Sequence, residues 1–353
     1  MIKILHTADW HLDSPLHMRS PEQSQMLRRE MLKIPEKIVS ICQQEMCDML
    51  LISGDVFDGP CNNETLRIVK NALEEVKIPV FISPGNHDFL GGNSPWLSTA
   101  WPENVHIFRH PSVQSVAVAF LDCRVYGAGF VSMDCPALLE NFTTQQEETY
   151  AIGLLHGDPT QANSPYCPIT AQQVANSNLD YLALGHIHKG DQFTAGKTLC
   201  AWPGCPMGRG YDELGEKGAL LVTLDETVST RFVPLGSTKF FDLEITAGQD
   251  LASVLPPVAS EDFYRITFVG TGEPLNLAQL AAQYSQFPNL ELRDKTTPPV
   301  DIWGTAGEDT FEGIYFKRLH DALDIADEEQ KRQIYLAAQI SRQLLDGQEV
   351  VLP

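Results

Sequence analysis

Three short apolar runs, Ile2 to Thr7, Met49 to Ser53 and Val80 to Ser83, are rich in aliphatic residues and stop where polar residues begin. They read as buried strands. Between them, residues 22–47 and 64–76 carry apolar side chains at helical spacing over lengths that suit helices. Strand, helix, strand, helix, strand is the order of a parallel sheet, because parallel neighbours need a crossover between them. From about residue 104 the rhythm changes. Strand-like runs at 105–108, 115–121, 150–155, 181–184, 198–202, 218–224 and 230–233 follow without long helices between them, which predicts a mixed or sandwich-like second half.

Near residue 237 the pattern shifts again. Strands are expected at 240–245, 263–269 and 290–293, with helical stretches at 249–255 and 275–286, a compact α+β unit. The tail from 308 to 346 reads as helical: Asp327-Glu328-Glu329-Gln330 has capping-box form, and Gly347 follows as a stop. Ile334, Ala337, Ala338, Ser341, Leu344 and Leu345 fall on one face of that last helix, wide enough to bind a protein partner. The expected division is 1–237, a catalytic domain; 238–307, a small cap; and 308–353, C-terminal helices.

Composition narrows the field. Apolar residues form 43% of the 353-residue chain, which suits a folded protein with a sizeable core. No segment approaches the roughly 18 consecutive apolar residues of a membrane span. The start runs straight into a strand without signal-peptide architecture, so a cytoplasmic location is expected. Eight scattered cysteines with no CxxC pair suggest neither a zinc knuckle nor a disulfide framework. A net charge of -21, from 25 basic and 46 acidic side chains, counts against nonspecific nucleic-acid binding through the bulk surface. Any contact with DNA has to be local.

Chemistry concentrates where strands end. Asp9-Trp10-His11 follows the first strand; on an extended chain, alternate residues point the same way and can share one cation. Gly54-Asp55-Val56-Phe57-Asp58 follows the second, and Gly85-Asn86-His87-Asp88 the third. His156-Gly157-Asp158 and Gly185-His186-Ile187-His188 come after later strands. A lone Asp-x-His or Gly-Asp means nothing, and a single buried histidine is usually a hydrogen-bonded core residue. Five such motifs in series, each placing O and N donors at a strand's carboxyl end, point to metal binding.

This order of motifs resembles the calcineurin-like metallophosphoesterases. Within them, His6 to Pro15 and Pro203-Gly204-Cys205-Pro206-Met207-Gly208-Arg209, continuing to Gly215-Glu216-Lys217-Gly218, are similar to the SbcD/YhaO-type DNA-repair nucleases. The likeness covers residues 1 to 235. It implies an α/β fold in which a β-sandwich is flanked by helices (α-β-β-α). It also implies two divalent cations, manganese first and iron or zinc as alternatives. One would be held by Asp9, His11, Asp55 and His188, the other by Asp55, Asn86, His156 and His186, with Asp55 bridging. Such a pair clamps phosphoryl oxygens as charge builds in an in-line displacement. His87 becomes the candidate general acid, and Asp58 the group that orients it.

The resemblance further implies DNA as substrate, cleaved by exonuclease and endonuclease action. It implies an SbcC/YhaN-like coiled-coil ABC-type ATPase as partner, and a homodimer is a further expectation. The acidic surface keeps a second reading open, hydrolysis of a small phosphoester or cyclic nucleotide. Other residues receive plainer roles. His6, His17, His106, His110 and His320 read as structural or surface histidines, Trp10 as packing beneath the site, and Asp88 and Asp158 as turn-fixing groups. Lys189, Lys197, Arg209 and Lys217 could form a positive strip beside the site.

Overall fold

The computed structural model describes residues 1–145, 147–299 and 301–347. The expected parallel core of β1 (Ile2–Thr7), β2 (Met49–Ile52) and β3 (Val80–Ile82) is there, and β4 (Val105–Ile107), expected in the second half, joins it in parallel beside β3. Beyond β1, β11 (Gly218–Leu224) and β12 (Val228–Pro234) extend the sheet antiparallel, giving six strands. A second six-stranded sheet has the order β5 (Gln114–Val118), β6 (Cys123–Gly127), β7 (Tyr150–His156), β8 (Tyr181–Gly185), β10 (Thr198–Gly204), β9 (Lys189–Ala195).

The two sheets face each other. Ile2, Ile4, Met49, Leu51 and Phe81 of the first pack with Val125, Ile152, Leu154, Tyr181 and Ala183 of the second. Alternate residues serve the opposite face. Leu50, Ile52, Val80 and Ile82 meet Leu27 and Met31 of α1 (Pro21–Met31), Ile34, Ile38 and Ile41 of α2 (Ile34–Gln44), and Val69 and Leu73 of α3 (Asn63–Glu75). On the outer face of the second sheet, Leu155, Leu182 and Leu184 cover Val174 of α5 (Ala171–Ser177), the single turn α4 (Pro95–Ser98) having come earlier in the chain. Strands buried on both faces need continuous apolar runs, which is why Met49–Ile52 shows no alternation. The layering is the helix-sheet-sheet-helix sandwich expected.

Several expectations needed correction. The helical stretch 22–47 is two helices, because Pro35 lacks an amide proton and fits only the first turn of a new helix. Strands β6 and β9 were not anticipated: β9, Lys-Gly-Asp-Gln-Phe-Thr-Ala, is a polar edge strand, where only one side pairs and little is buried. The stretch 249–255 holds only a 3-10 turn at Leu251–Ser253; Pro256 and Pro257 follow at once, leaving too few residues to nucleate a helix.

After β12 come β13 (Phe240–Thr246), β14 (Phe263–Val269) and β15 (Leu290–Asp294), a three-stranded sheet, with α6 (Leu277–Gln283) before the last strand. The tail forms α7 (Phe311–Leu323) and α8 (Glu328–Leu345), and the Asp327 capping box is formed on both its sides. The chain divides into two compact units. One takes residues 1–243, 256–266 and 281–291, the other 244–255, 267–280 and the residues from Leu292 onward, so the chain passes between units within the small sheet. Among the described residues no helix is long and apolar enough to cross a membrane.

Candidate metal centre

The loops after β1 and β2 are zipped together by their backbones. Asp9 N donates to Gly54 O at 3.0 Å, His11 N to Asp55 O at 2.9 Å and Leu12 N to Val56 O at 2.9 Å. The chain here is not extended, contrary to the expectation for Asp9-x-His11. Asp9, His11 and Asp55 have φ of 54°, 46° and 52°, and His186 has 96°. Four candidate ligands therefore occupy the left-handed region, at a cost on the order of 1–3 kcal/mol each, which the surrounding hydrogen bonds must hold in place. Gly85 has no room for a side chain: a Cβ there would lie 2.2 Å from Asp55 Oδ1.

The structure brings all seven sequence-predicted ligands together. Donor atoms of Asp9, His11 and His188, and of Asp9, Asp55 and His156, lie within 4.8 Å of one another in two groups. Asp55 Oδ2, a member of the second group, also reaches the first: it lies 3.7 Å from His11 Nε2 and 3.4 Å from His156 Nε2. Asn86 Oδ1 lies 2.9 Å from His156 Nε2 and 3.1 Å from His186 Nδ1. His11 Nε2 and His188 Nε2 are 3.0 Å apart. The Asp9 carboxylate also accepts the His186 backbone amide.

This donor set fits cations. His156 Nδ1 must donate to Ser53 O at 2.8 Å, so its Nε2 presents a lone pair to the Asn86 carbonyl oxygen, another acceptor. Burial lowers the pKa of His156 to about 3 and of His11 and His186 to about 4, so these imidazoles stay neutral. Burial likewise raises Asp9 to about 7, and the Asp55 carboxylate adds to the rise against the pull of His188 and Arg209: its anion is costly there. Neutral imidazoles and carboxylates crowded in a buried site are groups that bind divalent metals.

Beside this cluster, His87 Nδ1 lies 2.6 Å from Asp58 Oδ1, and its ring is 41% exposed. The hydrogen bond to Asp58 raises the His87 pKa above the ordinary value against the pull of burial. The His87 backbone amide donates to Asp55 Oδ1 at 2.9 Å, tying this group to the centre. Asp88 accepts from the amides of Val56, Phe57 and Gly85, and Asp158 from Thr160 and Gln161: both fix turns, as expected. His6 is structural, joining Tyr181 Oη at 2.7 Å and Ser53 Oγ at 2.5 Å. Trp10 is buried and bonds Thr7 Oγ1.

A family model described as calcineurin-like phosphoesterase matches residues 2–190. The chain belongs to the calcineurin-like phosphoesterases. Among its relatives, this phosphoesterase is 32% identical over 237 residues to a Bacillus subtilis (strain 168) protein named uncharacterized metallophosphoesterase YhaO, a match covering 63% of this chain and 57% of the relative. It is 25% identical over 261 residues to the SbcD subunit of the nuclease SbcCD from the same organism, covering 61% and 64%. With the corresponding SbcCD nuclease subunit of Staphylococcus epidermidis the figures are 22% over 286 residues, covering 70% and 72%. The chain thus spans less than two thirds of the length of the first two relatives.

Sequence reasoning missed one residue of this phosphoesterase's site. Glu213 is buried, with Oε1 2.6 Å from His188 Nδ1 and 2.7 Å from Arg209 Nη2. Burial by itself would raise the Glu213 pKa, but the hydrogen bonds from His188 and Arg209 hold it below the usual carboxylate range. The only signal was its place between Pro203–Arg209 and Gly215–Gly218, the two strings that carried the family resemblance. The expected basic strip is also reduced. Arg209 is engaged by Glu213, and Lys197, at the far end of the β9–β10 hairpin, pairs with Asp180 at 2.8 Å.

Proposed function

We propose that this phosphoesterase is a metal-dependent nuclease that hydrolyses DNA phosphodiesters, with manganese as the first candidate metal. The supporting observation is the convergence of seven O and N donors next to an exposed histidine held by a carboxylate, in a chain similar to the SbcD subunit of the nuclease SbcCD. Asp9, His11, Asp55 and His188 would hold one cation, and Asp55, Asn86, His156 and His186 the other. When bound, the pair supplies Lewis-acid charge that stabilises a phosphoryl group during in-line displacement. His87 donates a proton to the departing oxygen. Asp58 holds the imidazole through Nδ1, so that Nε2 carries the transferable proton, and raises its pKa, which favours the protonated form.

In this reading, residues 238–307 cap the catalytic domain and 308–353 dock an SbcC/YhaN-like coiled-coil ATPase; the residues after 347 lie outside those described. Action in DNA double-strand-break repair, in the cytoplasm, as a monomer or homodimer, belongs to the same proposal. The alternative, a phosphodiesterase or phosphatase for a small phosphoester or cyclic nucleotide, draws on the net charge of -21 and on the engagement of Arg209 and Lys197 in ion pairs. Hydrolysis with manganese of a linear duplex, a single strand and an aryl phosphate diester separates the two. The nuclease reading expects DNA cleavage, strengthened by the ATPase. Efficient aryl ester hydrolysis with no DNA cleavage, even beside the ATPase, replaces it with the small-substrate reading.

A further inference from the structure

Two histidines at opposite sides of the centre are held by different means. His156 is pinned by a main-chain carbonyl, Ser53 O, whereas His188 is pinned by the side chain of Glu213. A carboxylate accepts and never donates, so the His188 Nδ1 carries the proton and Nε2 is turned toward His11 and Asp9. Glu213 is itself gripped. Arg209 donates to it three times, from its backbone N at 2.8 Å, Nη2 at 2.7 Å and Nε at 3.3 Å. The turn that returns Glu213 beneath Arg209 requires Gly208, where a Cβ would lie 2.5 Å from Glu213 O. The same guanidinium reaches Ser14 Oγ at 3.4 Å and stands 3.9 Å from Asp58 Oδ2.

We infer that Glu213, braced by Arg209, is a positioning residue that sets the affinity of the cation site containing His188, independently of the site containing His156. This rests on the two-cation reading above. A carboxylate behind a ligating imidazole fixes its tautomer and ring orientation, and loss of such a group typically weakens metal affinity about 10- to 100-fold. On the His156 side the equivalent partner is backbone, which substitution cannot remove. The geometry therefore gives this chain one site built into its main chain and one tuned by two side chains.

The test is a calorimetric titration of the metal-free protein with Mn2+, alongside its thermal midpoint. The parent is expected to bind two ions. Glu213→Gln should keep one binding event at parental affinity and weaken the other about 10- to 100-fold. His188→Ala should weaken the same event, and adding Glu213→Gln to it should cost little more, since the carboxylate acts through the imidazole. Glu213→Asp, which keeps the charge but shortens the reach, gives a smaller loss at the same event and serves in place of a Gln variant that does not fold. Two events unchanged, two weakened equally, or a fully additive double variant would overturn the inference. A parent that binds fewer than two ions overturns the two-cation reading beneath it instead.

Discussion

His156 and His188 offer the same nitrogen ligand chemistry from opposite construction. His156 ends β7 in the heart of the second sheet, packs edge-on against Phe130 and donates to a carbonyl of the first sheet's loop. Ser53, which owns that carbonyl, is further tied through its hydroxyl to His6, itself bonded to Tyr181. His188 lies in the loop before β9 with a side chain 30% exposed, and leans on an ion pair between two residues of a later loop. One candidate ligand is part of the folding core, so altering it damages both fold and site. The other is an attachment whose affinity can change while the fold stays intact.

Substitutions at the centre test this contrast, the largest effect falling at Asp55. Removing Asp55, which reaches both donor groups, should abolish the distinction: Asp55→Ala is expected to lose both metals and at least about 10³-fold in turnover, on the scale of several kcal/mol of cation charge stabilisation. A variant that keeps one metal tight would show that Asp55 does not bridge. His87→Ala comes next. It should bind metal like the parent yet turn over DNA about 10²- to 10⁴-fold more slowly, with a smaller loss on an aryl diester whose leaving group needs little protonation. Equal losses on both substrates would remove its role as general acid.

The contrast itself is read most directly from stability. His156→Ala should cost the metal-free protein about 2–4 kcal/mol, because it empties a buried space and leaves Ser53 O without its donor. His188→Ala, partly exposed, should cost less than about 1 kcal/mol in the same denaturant melt. Similar values for the two would erase the distinction between core and attached ligand. Asp88 provides the finest test: Asp88→Asn keeps one acceptor oxygen for the three amides of the β2 and β3 loops, and should lower stability by about 1–2 kcal/mol while metal stoichiometry stays at two. Loss of a metal in that variant would place Asp88 closer to the cations than its hydrogen bonds imply.

Much of this was legible in the residue order. The strands β1, β2 and β3 were readable because burial on both faces demands uninterrupted aliphatic runs. The seven donors were readable because each sits at the last residue of a strand or within four residues past one, where a local motif survives as a contiguous string. Local strings do not record conformation. Asp9 and His11 looked like alternating residues of an extended chain, and only the bonds to Gly54 O and Asp55 O, about 45 residues away, force the left-handed turns that aim them. The polar strand β9 was invisible for a related reason: its pairing with β10, and not its own side chains, makes it a strand.

Residue order alone was enough for the parallel opening of the first half, the donor inventory and the family. Tertiary structure decided which groups hold those donors still. Glu213 and Arg209 lie in no motif of acid or base at ligand spacing, and their meaning appears only when the 205–217 loop folds against His188 and Asp58. Side-chain chemistry is written in each residue, whereas the tautomer of an imidazole depends on what lies within about 3 Å of it. That neighbour can come from anywhere in the chain.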